Sequence, residues 1–314
     1  MNKINIILIS GPTASGKTSL SIELAKKLNG EIICIDSMQI YKNMDIGTAK
    51  VTQEEMQGIS HYMIDELYPS QMSDVAWFKN TVKNYIAQIH QRNKIPILVG
   101  GTGFYINAIL YDTEFNEKDS NYKIRNEFKD YAFLHGADKL HDRLRAVDPE
   151  SAKSIHPNNI KRVARALEYF YETGHPISFH NVTELSKRVN NSSPYNFHFF
   201  TLNMDRQLLY SKINQRVDIM INRGLLNEAK WLFDQGFDEN LTAMKAIGYR
   251  EFFPYFKGDM DLDATIEQVK RNTRRYAKRQ LTWFKHQANP IFIEVDKFNF
   301  EISSIIKEIL KYIK

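Results

Sequence analysis

An eight-residue segment near the N-terminus has the composition of a phosphate-binding loop. Residues 11–18 match the pattern G-x-x-x-x-G-K-[ST] at every fixed position, between an apolar run at 4–10 and apolar residues at helical spacing over 17–28. A strand, a glycine loop and a helix in this order surround an anion with backbone N–H groups. We predict that Lys17 reaches phosphate oxygens and that the Thr18 hydroxyl binds a phosphate-bound Mg²⁺. The alternative is a glycine-rich turn that happens to carry a lysine. The predicted phosphate contacts are Gly11, Pro12, Thr13, Ala14, Ser15, Gly16, Lys17 and Thr18.

A carboxylate ends the second apolar run of the chain. Asp36 closes the run 31–36, and Ser37, Met38 and Gln39 come directly after it. Because the carboxyl ends of parallel strands share one edge of a sheet, we expect Asp36 to face the phosphate loop. Three roles suit that position: holding Mg²⁺ through water, acting as a general base on the acceptor, or capping the following turn. The Gln39 amide has the groups to bind the edge of a nucleic-acid base through two hydrogen bonds.

A glycine-rich segment, Gly100-Gly101-Thr102-Gly103, follows the apolar run 95–99. Glycines at this point permit a ligand to approach the backbone closely, and the Thr102 hydroxyl is predicted to point into the cleft. Many turns between a strand and a helix are rich in glycine, so the motif alone is a weak signal. It gains weight because the same sheet edge should carry the phosphate loop and Asp36.

The segment 270–286 holds seven lysines and arginines and no aspartate or glutamate. A solvated helix face is one interpretation, but such a face loses the usual support of acid–base pairs one turn apart, which favours a polyanion partner. One face can hold Arg271, Arg274, Arg275, Lys278 and Lys285, and the core side would hold Val269, Tyr276, Leu281 and Phe284. The predicted RNA contacts in this helix are Arg271, Arg274, Arg275, Lys278 and Arg279.

Two shorter segments repeat the basic character more weakly. The first is a helical pattern with the cations Lys161, Arg162 and Arg165. The second combines cations, an aromatic ring and a flexible glycine, which suits backbone contact together with base stacking. Its predicted RNA contacts are Lys245, Gly248, Tyr249 and Arg250.

The elements that must position these residues alternate along the chain. Buried parallel strands are predicted at 4–10, 31–36, 95–100, 197–203 and 291–295, and helical patterns at 17–28, about 73–92 and 103–110 separate them. This alternation predicts an α/β fold with a doubly wound, mostly parallel sheet of P-loop type. Residues 112–196 are charged and helical in pattern, so we predict a helical insertion domain there and an α/β core at 1–111 and 197–314.

The composition is that of a globular protein, with 43% hydrophobic and 25% charged residues and a net charge of +5. The single cysteine, Cys34, excludes a disulfide framework and a cysteine-based zinc finger. No apolar run approaches the length of a membrane span, and the N-terminus has no signal-peptide pattern. We therefore expect a cytoplasmic protein that does not associate with a membrane.

Seven motifs in order resemble those of the tRNA dimethylallyltransferases, also called tRNA isopentenyltransferases, over nearly the full length. Two departures are Phe104, where leucine is usual, and Ser60-His61-Tyr62, which replaces a more typical Pro-His-His. Neither departure affects a residue that we assign to chemistry. The motifs lie at 11–18, 36–41, 45–50, 100–105, 161–168, 246–251 and 273–284.

The resemblance implies transfer of a dimethylallyl group from dimethylallyl diphosphate to N6 of the adenosine 3′-adjacent to the anticodon in tRNA. It implies that Asp36 accepts the proton of the exocyclic amine, that Thr13 positions the donor, and that Thr102 positions the base. Lys17, Arg216 and Mg²⁺ would hold the diphosphate. It also implies that the insertion domain and the basic helix bind the anticodon stem-loop, and that Asp36, Ser37, Met38, Gln39 and Thr102 contact the RNA. A monomer is expected.

Three other functions remain open at the level of sequence. A small-molecule kinase would use the same loop for ATP and needs a mobile arginine lid, which residues 112–196 could supply. A nonenzymatic RNA-binding switch would leave the convergence of Asp36 and Thr102 without a purpose. Prenyl transfer to free adenine nucleotides would not need the acid-free helix at 270–286. Release of diphosphate rather than hydrolysis of ATP separates the favoured function from the kinase.

Overall fold

The computed structural model of this chain describes residues 3–115, 122–190 and 192–313. In chain order, its strands are β1 (Ile4–Ser10), β2 (Gly30–Ile35), β3 (His61–Tyr62), β4 (Ile95–Gly100), β5 (Tyr195–Asn203) and β6 (Ile291–Glu294). They form one six-stranded sheet in the order β3-β2-β4-β1-β5-β6, with each neighbouring pair parallel. The predicted α/β fold with a mostly parallel sheet is confirmed.

Helices connect these strands and extend the chain beyond them. The first four are α1 (Lys17–Leu28), α2 (Gln53–Met56), α3 (Val75–Gln91) and α4 (Gly103–Leu110). The middle of the chain contributes α5 (Tyr122–His135), α6 (Ala137–Val147), α7 (Pro149–Ser154), α8 (Ile160–Thr173) and α9 (Ile177–Val189). The last part contains α10 (Arg206–Asn222), α11 (Leu225–Asp234), α12 (Phe253–Phe256), α13 (Leu262–Gln287) and α14 (Ile302–Leu310).

The chain folds into two compact units. The first comprises Met1–Ile109 and Pro194–Lys314, and the second comprises Leu110–Ser193. The sequence prediction places the corresponding boundaries at 111/112 and 196/197. The first unit therefore contains the whole sheet, and the second contains helices α5 to α9.

The core of the first unit forms because its central strands are apolar on both faces. In β1 the last five residues are buried, and all six residues of β2 are buried. Helix α1 packs Leu20, Ile22 and Leu24 into the same cluster as Ile97 of β4 and Phe200 of β5. This layered packing fixes the carboxyl ends of β1, β2 and β4, from which the candidate residues extend.

The second unit has a separate apolar core. Its members include Phe128, Leu140, Leu144, Val163 and Leu167, on helices α5, α6 and α8. Its helical character matches the pattern in the sequence, and no strand lies in its described residues.

Several strand boundaries of the first unit differ from the sequence prediction, and strand β5 begins at Tyr195 rather than at 197. Strand β2 ends at Ile35, so Asp36 stands just beyond it and begins the following turn. Strand β6 ends at Glu294. The two-residue strand β3 was not predicted, because so short a segment has no periodicity to detect.

Among the described residues, no helix combines the length and the apolar character needed to cross a bilayer.

Candidate active site

The segment 11–18 adopts a loop whose shape depends on two glycines. Gly11 has a φ of 148°, and a Cβ there would lie 2.9 Å from the Leu202 carbonyl oxygen. Gly16 has a φ of 87° and directly precedes α1, which has no side-chain cap and no acidic residue in its first turn. The first N–H groups of α1 are therefore available to an anion, and the helix dipole favours one there.

Two cationic side chains beside this loop, Lys17 and Arg216, repel each other electrostatically. Lys17 Nζ donates to the carbonyl oxygens of Gly11 (3.0 Å) and Pro12 (2.7 Å). Burial and then the Arg216 guanidinium lower the pKa of Lys17 to about 8, while the Asp36 carboxylate opposes this shift. A bound anion would stabilise both charged side chains.

Arg216 extends from α10 and is half-buried. Burial lowers the pKa of its guanidinium, and Glu55 is close enough to oppose that shift. Within the described residues, Arg216 makes no hydrogen bond and no ion pair. A guanidinium without a protein partner is suited to bind a multiply charged oxyanion such as a diphosphate.

Two hydroxyl groups near the loop are buried and have no hydrogen-bond partner among the described residues. They are Ser15 Oγ, within the phosphate loop, and Thr102 Oγ1, in the turn after β4. Buried polar groups are almost always satisfied in native proteins, so these two hydroxyls beside the loop are candidates for a hydrogen bond to a ligand or an ordered water.

Asp36 lies at the start of the turn that follows β2. Its Oδ1 accepts a hydrogen bond from Met38 N (2.8 Å), which is the turn-capping role among the three considered. Burial raises the pKa of the Asp36 carboxyl, and the N–H of Met38, the Lys17 ammonium and the N–H of Gln39 oppose that rise. A carboxylate with a raised pKa is a stronger base, so capping and proton acceptance are compatible roles of one side chain.

The turn after β4 contacts α13. Thr102 N donates to Ile35 O at 3.4 Å, which holds this turn beside the end of β2. Tyr276, predicted only as a core residue, has its hydroxyl close to the Thr102 and Gln280 side chains. Burial and then the Asp36 carboxylate raise the pKa of that hydroxyl.

Gln280 is a site residue that the sequence pattern did not reveal. Its side chain bonds Thr13 N (3.2 Å) and Gly101 O (3.0 Å), so it contacts two of the predicted segments. One signal was available: a glutamine on the apolar side of an amphipathic helix is out of pattern and needs polar partners. The sequence did not indicate which partners those are.

Comparisons with known proteins agree on one family. Residues 39–287 match the sequence profile of a family described as IPP transferase. The tRNA dimethylallyltransferase of Lachnoclostridium phytofermentans is 49% identical over 306 residues, which cover 98% of this chain and 96% of that one. The chain belongs to the IPP transferase family.

Solved structures of the family have the same fold. The tRNA isopentenylpyrophosphate transferase of Bacillus halodurans matches with a TM-score of 0.70 and 42% identity, covering 99% of this chain and 98% of that one. A eukaryotic dimethylallyltransferase acting on tRNA matches with a TM-score of 0.77 and 32% identity, covering 93% of this chain and 74% of that one.

In this member of the IPP transferase family, Gln39 is held by the protein itself. Its Oε1 accepts from Cys34 Sγ (3.2 Å), and its Nε2 donates to the carbonyl oxygens of Thr48 (3.1 Å) and Ala49 (3.4 Å). The base contact predicted for Gln39 is therefore not available to this side chain as it stands. Ser37 and Met38, its neighbours in the turn, are partly exposed.

The stacking role predicted for Tyr249 is contradicted by its burial. Tyr249 is 0% exposed, and its hydroxyl donates to Glu228 Oε1 at 2.5 Å. Burial and then Glu228 raise the pKa of this phenol. The ring packs against Gly47, where a Cβ would lie 2.5 Å from the Tyr249 ring. A base cannot reach a side chain in this position.

The neighbours of Tyr249 differ in exposure. Gly248 has a φ of 94° and donates its N–H to Glu251 Oε2 (2.8 Å), so it forms a turn. Lys245 and Arg250 are exposed, with Lys245 Nζ bonding Asn240 O. The two cations remain candidate RNA contacts.

The cations that the sequence analysis assigns to the basic face of α13 are exposed, with one exception. The exception is Arg274, which is half-buried and donates from Nη1 to Asn214 Oδ1 on α10 (2.6 Å). The exposed cations are Arg271, Arg275, Lys278, Arg279 and Lys285. An open cavity of about 640 Å³ lies along this side, lined by Arg275, Lys278, Arg279, Thr282, Trp283, His286 and Gln287.

The cations of the second unit separate into two groups. Lys161 and Arg162 are exposed on α8. Arg165 Nη1 instead donates to the buried Glu168 carboxylate (2.6 Å), which also binds Arg125 (2.6 Å). The charge of Arg165 is thus partly balanced within its own unit, which reduces its value as a phosphate contact.

The residues around the phosphate loop fit a Mg²⁺ ion that is coordinated mainly by phosphate and water oxygens and by few protein atoms. Among the described residues, no group of three or more His, Cys, Asp and Glu side chains could form a protein cage. Mg²⁺ at phosphate sites typically uses one or two protein oxygens, with phosphate and water oxygens completing the shell. Thr18, exposed in the first turn of α1, supplies a hydroxyl oxygen of this kind.

Proposed function

We propose that this chain transfers a dimethylallyl group from dimethylallyl diphosphate to N6 of an adenosine in tRNA and releases diphosphate. One observation carries the proposal: Lys17, which hydrogen-bonds the phosphate loop, interacts electrostatically with both the Arg216 guanidinium and the Asp36 carboxylate, whose pKa is raised by burial. The first two suit a diphosphate, and the third suits a proton acceptor. The names of the relatives, tRNA dimethylallyltransferase and tRNA isopentenylpyrophosphate transferase, support this function.

On the donor side, the phosphate loop stabilises the leaving group. The C–O bond between the dimethylallyl carbon and the diphosphate breaks, and negative charge develops on the departing oxygens. The N–H groups at the start of α1, Lys17 and Arg216 are arranged to stabilise that charge. Ser15 Oγ, buried and unpaired among the described residues, offers a further hydrogen bond, and the Thr13 side chain would help to position the donor.

On the acceptor side, Asp36 takes the proton. The adenine N6 amine is a weak nucleophile because its lone pair is delocalised into the ring. As the new C–N bond forms, N6 loses a proton, which the Asp36 carboxylate accepts. Thr102 Oγ1 would hydrogen-bond the base and hold N6 in line with the dimethylallyl carbon.

Thr18 would hold a Mg²⁺ ion on the diphosphate. When bound, the ion neutralises part of the charge of the leaving group. Removal of Mg²⁺ by a chelator is expected to slow transfer strongly, and titration with Mg²⁺ should restore it.

We further propose that the RNA substrate is the anticodon stem-loop, and that the target adenosine lies 3′-adjacent to the anticodon. A base stacked in that loop cannot reach a cleft at a sheet edge, so it must leave the stack. The exposed cations of α13, with Lys161 and Arg162, are suited to phosphate contacts. The protein is proposed to act in the cytoplasm as a monomer. Sedimentation analysis tests the monomeric state.

The deciding experiment follows labelled dimethylallyl diphosphate with an anticodon stem-loop as acceptor. We expect the label on the RNA with diphosphate released, and none when the target adenosine is replaced by guanosine. Rapid hydrolysis of ATP without label transfer would replace this function by the kinase alternative. Transfer to free AMP at an equal rate would remove the RNA from the proposal.

A further inference from the structure

A glutamine on α13 connects two loops that lie far apart in sequence. Gln280 is 7% exposed, and its Oε1 accepts from Thr13 N in the phosphate loop at 3.2 Å. Its Nε2 donates to Gly101 O in the turn after β4 at 3.0 Å. One buried amide therefore contacts both the loop suited to the donor and the loop that presents Thr102.

The two contacts require the chemistry of an amide. Thr13 offers an N–H group, so its partner must be an acceptor, and Gly101 offers a carbonyl, so its partner must be a donor. Glutamate would bring a carboxylate oxygen against the Gly101 carbonyl. Methionine has a similar length but would satisfy neither group.

The packing around Gln280 leaves little freedom for the two loops. A Cβ at Gly101 would lie 2.0 Å from Gln280 Nε2 and 3.3 Å from Gly11 O. Strands β1 and β4 are neighbours, and Ser10 pairs with Gly100 directly before the two loops begin. The sheet thus sets the starting points of the loops, and the amide sets their separation where they leave the sheet.

We propose that Gln280 is a positioning residue that fixes the distance between the diphosphate loop and the Thr102 turn. Resting on the proposed function, this assigns Gln280 to the step in which both substrates react, rather than to the binding of either one. A displacement of about 1 Å between reacting groups can cost on the order of 10²-fold in rate. Because α13 also carries the exposed cations, the element proposed to contact RNA is the one that holds the two loops together.

The test compares Gln280→Met with a matched glutamine variant on the same helix, Gln268→Met. Gln268 bonds Asn272 and Arg271 and contacts neither loop. Three quantities are measured for each protein: backbone hydrogen exchange over 11–16 and 100–103, the dissociation constants of inorganic diphosphate with Mg²⁺ and of the stem-loop, and single-turnover transfer with both substrates saturating. Thermal unfolding reports on the fold.

For Gln280→Met we expect faster exchange in both loops and dissociation constants within about threefold of wild type. Saturated transfer should fall by about 10²-fold. For Gln268→Met we expect all three quantities to stay close to wild type. Transfer by Gln280→Met at the wild-type rate overturns the proposal. So does a weakened affinity for diphosphate with normal transfer at saturation, which would make Gln280 a donor contact.

A second variant, Gly101→Ala, disturbs the same contact from the opposite side and covers the case in which Gln280→Met does not fold. If the amide sets the loop separation, Gly101→Ala alone should slow saturated transfer. Adding Gly101→Ala to Gln280→Met should slow transfer little further. Additive losses overturn the proposal. If the wild type transfers no label, the proposed function fails, and hydrogen exchange alone decides about Gln280: unchanged exchange in Gln280→Met overturns its role.

Discussion

The phosphate loop at 11–18 and the segment 245–251 contain similar chemical groups but differ in where those groups find partners. In the loop, Ser15 Oγ is buried and has no partner among the described residues, and Lys17 is held by backbone carbonyls. In the segment, the Tyr249 hydroxyl bonds Glu228, and the Gly248 N–H bonds Glu251. The first region is incomplete by itself, whereas the tyrosine and the glycine of the second find their partners within the protein.

This difference separates a ligand site from a structural one. Native proteins pair nearly all their buried polar groups, so a buried hydroxyl without a protein partner beside an anion-binding loop is placed to bond a ligand or an ordered water. A tyrosine whose ring and hydroxyl are both accounted for by the protein stabilises the fold. Residue type alone made both regions candidates for function, although the loop was the stronger motif.

Asp36→Asn tests the incomplete region with the largest expected effect. The asparagine oxygen can still accept from Met38 N, so the turn should persist while the proton acceptor is lost. We expect the single-turnover rate to fall by about 10²–10⁴-fold, the range for a positioned base. RNA affinity should stay within about twofold.

The affinity for the stem-loop is the control for the Asp36 variants. If Asp36→Asn weakens binding of the stem-loop as much as it slows transfer, the carboxylate positions RNA and is not the base. Asp36→Ala, which loses the turn contact as well, should be slower than Asp36→Asn or equal to it.

The pH dependence of donor binding tests the Lys17 charge. The pKa of Lys17 is lowered to about 8, so the free protein carries a protonated Lys17 below that pH and loses the proton above it. A diphosphate favours the protonated form, so affinity for dimethylallyl diphosphate should be constant between about pH 7, where the diphosphate is fully ionised, and about pH 8, and should fall by up to about tenfold per pH unit above that. Calorimetric titration in buffers of different ionisation enthalpy measures both the affinity and the proton uptake.

Lys17→Arg provides the matched comparison, because guanidinium stays charged over the whole range. Its affinity is expected to be lower but flat with pH. A wild-type affinity that is equally flat as the pH rises well above the pKa of Lys17 would show that Lys17 is not the group that senses the diphosphate.

The same contrast between groups with and without a protein partner exists among the cations of α13. Here the expected effect is on the salt dependence of RNA affinity, and it is smaller. Arg275 and Lys278 are exposed, whereas Lys270 of the same helix is paired with Asp218 (2.8 Å) and Glu267 (3.2 Å). Replacing Arg275 and Lys278 together by glutamine should reduce the slope of log affinity against log salt by about 0.7–0.9 for each phosphate that is no longer neutralised. Stem-loop binding at several salt concentrations measures the slope.

Lys270→Gln is the control for the charge change. Since its ammonium is already paired, we expect the salt slope to match wild type. An unchanged slope in the double variant as well would remove this side of α13 from the RNA interface.

The parts of the site that sequence predicted are those built from local pattern. The strand Ile4–Ser10, the loop and the helix Lys17–Leu28 follow one another, so their geometry could be derived from adjacent residues. Asp36 and Thr102 could also be brought to one edge, because parallel strands end there together.

The parts that sequence did not predict depend on partners distant in the chain. Gln280 meets Thr13 across 267 positions, and helical periodicity shows only that it faces inward. Tyr249 is buried because its hydroxyl bonds Glu228 and its ring packs against Gly47. The Gln39 amide is already hydrogen-bonded because the Thr48 and Ala49 carbonyls accept from it. In each case the residue type was visible and the partner was not.

Tyr249→Phe carries the smallest expected effect on activity and is the sharpest test of the satisfied region. Glu228 also accepts from the N–H groups of Asp45, Ile46 and Gly47 at 2.9–3.0 Å, so it keeps three donors when the hydroxyl is removed. The free energy of unfolding should fall by about 1.5–3 kcal/mol, as for loss of a hydrogen bond to a charged group. Stem-loop affinity and transfer rate should stay at wild-type values, because the ring never reaches a base. Weaker stem-loop binding without loss of stability would mean that Tyr249 turns outward to meet RNA, and the distinction between the two regions would then fail.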